Sequence, residues 1–90
     1  MSKPFDTVFS GDFIKILKKL KKKDSVLYNR IKEKLVDIAN NPYFGKPLGN
    51  VLKNRRRVHI GHFVLVYRIN EEEREVRFLD FDHHDKVYKK

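Results

Sequence analysis

The chain has 90 residues with 21 Lys or Arg against 12 Asp or Glu, a formal net charge of +9, and neither Cys nor Trp. That length bounds it to one small domain, residues 1–90, with room for a single core of two layers, and the charge favours polyanions as partners: RNA, DNA or an acidic protein. Disulfides and thiolate metal sites are excluded, no apolar run approaches the roughly 20 residues of a membrane helix, and Met1-Ser2-Lys3-Pro4 opens no signal peptide, so a cytoplasmic protein with no membrane partner is expected.

Phe5 to Phe9 reads as a first strand. Ser10 is a good N-cap, Asp12 complements the dipole of the helix that follows, and Phe13, Ile16, Leu17 and Leu20 recur at helical spacing. Lys18, Lys19, Lys21, Lys22 and Lys23 crowd the wet face and the end of that helix, where cations suit the dipole. Asp24 or Ser25 caps a second helix whose stripe is Leu27, Ile31, Leu35 and Ile38, and Asn41-Pro42 ends it. The short connection predicts an antiparallel helical hairpin.

Tyr43 to Leu52, holding Gly45, Pro47 and Gly49, reads as a loop with turns. The period then changes from 3.6 to 2. Arg57 to Ile60 alternates, Gly61-His62 is a tight reversal, and Phe63 to Ile69 is apolar on both faces like a central strand. Asn70-Glu71-Glu72-Glu73 is an acidic turn before a last strand over Glu75 to Phe81. The order strand, helix, helix, antiparallel β-meander predicts an α+β fold of two layers, with the helical hairpin packed on one sheet face and the other face uncovered.

No acid occurs from Ile38 to Asn70, so Lys53, Arg55, Arg56, Arg57 and Arg68 form a locally uncompensated basic cluster. A solubilising patch would have the same composition. The concentration on neighbouring strands favours a nucleic-acid or ribosome contact that weakens with salt. His62 reads first as a turn residue and Tyr67, inside an apolar run, as core. His83-His84-Asp85 is reminiscent of a metal site, but adjacent strand residues point to opposite faces, so no metal is expected. Asp80 and Asp82 are candidates either to pair with the basic cluster or to act as charge partners of the histidines, and periodicity leaves their face open.

The element order, Lys46-Pro47-Leu48, the Arg-Val-His-Ile-Gly turn, Val64-Leu65-Val66-Tyr67-Arg68 and the closing His84-x-x-x-Tyr88 resemble the RelE/ParE toxin superfamily of toxin–antitoxin pairs. The missing Cys, Trp and Gln and the 37% of charged residues fit an archaeal or thermophile member. The resemblance implies an endoribonuclease that cuts mRNA, often on the ribosome, needs no cofactor, and is silenced by a RelB-like antitoxin. It also implies two alternatives, a ParE-like inhibitor of DNA gyrase and a catalytically weak RNA-binding module on the same scaffold.

Carried over by residue, Arg57 and His59 fall where RelE-type toxins place two basic residues, and His84 falls where the YafQ type has a catalytic histidine. Tyr88 matches a terminal aromatic near a substrate base. Val64 departs from the pattern: RelE-type toxins usually have an arginine there, so strong catalysis would require Arg57, Arg68 or another cation to substitute. The expected catalytic set is His84, His59, Arg57 and Tyr88. Lys53, Arg55, Arg56, Arg68, His62, His83 and Lys86 are expected to contact nucleic acid. Histidine titrates near neutrality and can move the proton of an attacking 2′-hydroxyl or of the leaving 5′-oxygen, and arginine offers a fixed fork of donors to a charged phosphorane. Strand histidines are nonetheless more commonly structural or solvated than catalytic.

Overall fold

A computed structural model describes residues 3–48 and 54–89. The elements are β1 (Asp6–Phe9), α1 (Gly11–Lys23), α2 (Ser25–Asn40), a 3₁₀ turn over Pro42–Phe44, β2 (Lys46–Pro47), β3 (Arg55–Ile60), β4 (Phe63–Asn70), β5 (Glu75–His83) and α3 (His84–Lys89). The Ser10 hydroxyl accepts the Phe13 N–H at 3.1 Å to start α1 and donates to the Leu79 carbonyl at 3.0 Å, tying the helix to the sheet. Asp24 both ends α1 and begins α2. Its backbone N–H reaches the Leu20 carbonyl at 2.8 Å, and its carboxylate accepts the Leu27 N–H at 3.1 Å. One polar residue therefore sets the hairpin bend.

The five strands lie in the order β1-β5-β4-β3-β2, with β1 parallel to β5 and every other pair antiparallel. Gly61, at φ +62°, makes the reversal between β3 and β4. The pairing of Val66 with Asp80 and of Tyr67 with Phe78 leaves Leu79 as an extra residue, a β-bulge that shifts the alternation of β5. Helices α1 and α2 cover one face, where Phe13, Ile31, Ile38, Leu65, Tyr67, Val76 and Phe78 are fully buried. Among the described residues no helix is long and apolar enough to cross a membrane.

Three expectations are corrected. The last strand runs to His83 instead of stopping at Phe81, because its tail stays paired with β4 as far as Phe63. The 43–52 segment is not loop throughout, since Lys46 and Pro47 pair with Arg57 and Arg56 as a sheet edge. The sheet's second face is not bare: α3 folds back over it, and Val87 packs on Val64 and Val66 with Leu48 and Leu79 at the margin. Three valines exclude water there that two alone would leave exposed.

Candidate nucleic-acid interface

Alternation along β3 decides which basic residues can act together. Val58 and Ile60 point into the helix-side core, so Arg55, Arg57 and His59 point to the opposite face. On β4, Val64, Val66 and Arg68 share that second face. The rungs of the sheet there are His59–Val64–Asp82, then Arg57–Val66–Asp80, then Arg55–Arg68–Arg77.

The first rung ends against the start of α3, and the backbone N–H of His84 donates to the His62 carbonyl at 2.9 Å, anchoring the helix to the β3–β4 reversal. This brings the His84 imidazole to 5.7 Å from that of His59, ring centre to ring centre, with both side chains exposed. Two residues 25 positions apart in sequence thus come together at one edge of the second face. Arg57 is the next residue of β3 on that side and is half-buried.

Asp85, in the first turn of α3, approaches both neighbouring histidines, at 3.5 Å from Nδ1 of His84 and 3.8 Å from Nδ1 of His83. The sequence offered Asp80 and Asp82 for that role; a helix residue, Asp85, approaches these rings as well. Asp80 and Asp82 do share the second face, and they accept the backbone N–H of Phe81 (2.9 Å) and of His83 (2.7 Å). The strand ends at His83, so Asp85 lies on the helix turn between the two rings and not on the strand that the alternation assumed. Among the described residues no three His, Asp or Glu side chains gather in a group that could hold a metal.

The remaining expected contacts divide. His62 and His83 stack at 6.3 Å, and His83 stands edge-on to Phe63 at 5.9 Å, so this pair lies at the end of the sheet, turned toward the helix side. Lys86 is exposed on α3. Arg56 is separated from the other arginines because it sits on the helix-side face. Its Nη1 donates to the Gly45 carbonyl at 2.7 Å, and its guanidinium lies over the Tyr43 ring at 5.3 Å. It is a structural brace, and the run Arg55-Arg56-Arg57 is not one patch. Tyr88 belongs to α3, its side chain outside the described residues, and Lys53 lies outside them altogether.

The brace around Arg56 supports β3 from behind. The Gly45 N–H donates to the Tyr67 hydroxyl at 2.8 Å, and that hydroxyl donates to the Pro42 carbonyl at 2.7 Å. A Cβ at residue 45 would lie 2.5 Å from the Tyr67 hydroxyl and 2.7 Å from the Arg57 carbonyl, so only glycine allows this approach. Burial raises the Tyr67 hydroxyl above its ordinary range. Tyr43 donates to the Glu71 carboxylate, and that bond holds the Tyr43 hydroxyl in its neutral form to higher pH. Neither Arg77, in register with Arg68, nor Asp85 was among the expected site residues. Asp85 enters the sequence reading only as part of a candidate His83-His84-Asp85 metal site; nothing short of the strand register brings Arg77 in.

Comparison with known proteins agrees with this architecture. The family model described as ParE toxin of type II toxin-antitoxin system, parDE, matches residues 7–88. A relative from Methanocaldococcus jannaschii, "Putative toxin RelE4", is 46% identical over 77 residues, 84% of this chain and 82% of that one. Among solved structures, the RelBE2 toxin–antitoxin complex of Mycobacterium tuberculosis contains a chain that superposes with a TM-score of 0.78 at 27% identity, covering 93% of this chain and 95% of that one. YafQ of Escherichia coli has the same fold at a TM-score of 0.72 and 23% identity, covering 93% of this chain and 98% of that one.

Proposed function

The chain belongs to the ParE-toxin family of type II toxin–antitoxin systems, within the RelE/ParE superfamily, and from that premise we propose that it is an endoribonuclease cutting mRNA, in association with the ribosome, by attack of the RNA's own 2′-hydroxyl. The observation that carries this reading is the pairing of the His59 and His84 rings at 5.7 Å beside Arg57 on one exposed edge. Two imidazoles at that spacing can flank a single phosphate. One removes the 2′-hydroxyl proton, the 2′-oxygen bonds to phosphorus, and the other protonates the departing 5′-oxygen. Arg57, one alternation along β3, supplies the cation for the phosphorane oxygens. Val64 is fully buried beneath α3, so position 64 holds up the helix that carries His84 and leaves the charge to β3.

The partner in this reading is a RelB-like antitoxin, as in the M. tuberculosis complex. Val26 and Val36 of α2, 71% and 61% exposed, and a groove of about 390 Å³ lined by Pro4, Leu35, Val36 and Ala39 are the apolar positions such a partner would cover.

The test is cleavage of a reporter mRNA by the purified chain, with and without translating ribosomes, mapped by primer extension. His84→Ala and His59→Ala should each lower the rate by about 10²–10⁴-fold, the usual contribution of one positioned acid or base. Undiminished cleavage by both variants ends the assignment. A second reading, inhibition of DNA gyrase, is favoured by the name of the matching family model. Induction that damages DNA in a gyrase-dependent way while mRNA stays intact would select it.

A further inference from the structure

The rung Arg55–Arg68–Arg77 plays no part in the proposed chemistry, and its geometry is unusual. Arg55 is the direct cross-strand partner of Arg68, and Arg68 of Arg77, all on the second face. Partners in adjacent strands have Cα atoms about 4.5–5.5 Å apart, so three guanidinium groups are rooted within roughly 10 Å. Like charges directly opposite one another destabilise a sheet. Glu75 lies 3.8 Å from Arg77, and Asp12 and Asp80 line the same open cleft as Arg55. The Arg77 side chain keeps 51% of its exposure, and Arg68 is exposed. A row that costs stability and stays wet is suited to an anion from outside.

Its position identifies the anion. Alternate residues of a strand are about 6.6 Å apart. Along β3 the second face presents His59, then Arg57, then Arg55, so the arginine row stands about 13 Å from the histidine pair and about 6.6 Å beyond Arg57. The span of about 13 Å, two such increments, is close to the length of two nucleotides in an extended strand. Helix α3 packs on β4 and β5, and Leu48 reaches the same valine cluster from the β2 edge, so the line His59, Arg57, Arg55 along β3 is the track from one site to the other. The rung beyond the row is Asn70–Glu75–Asp6, which repels phosphate and marks where the track stops.

We propose that Arg55, Arg68 and Arg77 form a second phosphate site, which grips the phosphate two nucleotides away from the bond placed between His59, His84 and Arg57. This rests on the nuclease reading and adds a ruler to it: single-stranded RNA gains affinity when it is long enough to place that phosphate, and gains nothing from the next one. Arginine suits the task because its planar fork meets two phosphate oxygens at once.

The test uses the purified full chain and 2′-O-methyl oligoribonucleotides, which lack the attacking hydroxyl, from two to six nucleotides, read by fluorescence anisotropy. The expected result is one step in affinity of about tenfold at a single added nucleotide, followed by a plateau. The double variant Arg68→Thr/Arg77→Thr should abolish the step and reduce the slope of log affinity against log salt by about 0.7 for the phosphate lost. Threonine keeps strand propensity, and removal of the like-charge pair should leave Tm unchanged or higher, whereas loss of a structural brace would lower it. Affinity that rises smoothly with length, or a step that survives in the double variant, overturns the proposal. So does a result in which an acidic peptide, and not RNA, loses affinity for the variant. Cleavage of an oligonucleotide with a single free ribose, run in parallel, separates the two readings. Cleavage without a step leaves the nuclease and removes the second site; a step without cleavage of any substrate keeps the site as an RNA grip and removes the nuclease.

Discussion

The two faces of the sheet solve opposite problems with strands they share. On the helix side, Phe78 touches the rings of Phe9, Phe13 and Tyr67 at 5.8–5.9 Å, and α1 and α2 bury everything between them. On the other side, the described buried residues are Val64, Val66 and Val87, with Leu48 and Leu79 at their margin under the six residues of α3, and arginines, histidines and acidic residues surround them. Alternation makes this possible. Along β3 and β4 alternate positions go to opposite faces, and the bulge at Leu79 re-phases β5 to match, so the fold is secured on one side while the other tolerates unfavourable charge. In the proposed reading, stability and chemistry are segregated by the pleat.

If that division holds, mutations on the two faces should have different signatures. The largest stability effect belongs to the helix side: Phe78→Ala should cost about 3–5 kcal/mol in denaturant unfolding, since a ring with no exposure leaves a cavity among three others. Next is Tyr67→Phe, at about 1–3 kcal/mol, because the Gly45 N–H and the Pro42 carbonyl lose their buried partner.

The same residue gives a pH signature. Burial raises the Tyr67 hydroxyl above the ordinary value of 10.0, so its neutral form is favoured by the folded chain. The associated stability is fully present below pH 10 and is lost as the pH rises from there through the folded-state value. Tyr43, raised by its hydrogen bond to Glu71, adds to the same slope, so unfolding curves of the parent and Tyr67→Phe should converge in alkali without the slope vanishing.

On the second face the ordering of stability and activity should invert. Val87→Ala should cost only about 1–2 kcal/mol, but by loosening α3 it shifts His84 relative to His59 and should lower RNA cleavage by up to about a hundredfold. Smallest of all, His84→Ala should leave unfolding free energy within about 0.5 kcal/mol of the parent, whatever it does to cleavage. A large loss of stability there would mean that the imidazole is a brace, and the separation of the two faces would fail.

Much of the fold was legible in the chain. The stripes Phe13-Ile16-Leu17-Leu20 and Leu27-Ile31-Leu35-Ile38, the caps Ser10 and Asp24, and the reversal at Gly61 all follow from local rules of periodicity and hydrogen bonding, and each appears where those rules put it. What escaped was whatever depended on a partner far along the chain. The extension of β5 to His83 needs Phe63 opposite it, and the short β2 needs Arg56 and Arg57. The candidate site was proposed from residue types and, through the family resemblance, as His59, His84 and Arg57, and the fold brings the first two within 5.7 Å. The division of the arginines was not legible, because Arg56 looks identical to its neighbours until the pleat turns it toward Gly45 and Tyr43.

By itself, then, the sequence determined the two-layer α+β order, the helix-side core and the basic character of whatever remained outside, because spacing and charge act over a few residues. Only the tertiary structure decided that His84 meets His59, that Asp85 reaches its ring, and that Arg55, Arg68 and Arg77 line up in one rung. Those are facts of strand register and of a bulge at Leu79. Register is set by how the whole sheet buries its apolar face, and no local stretch of this chain contains that information.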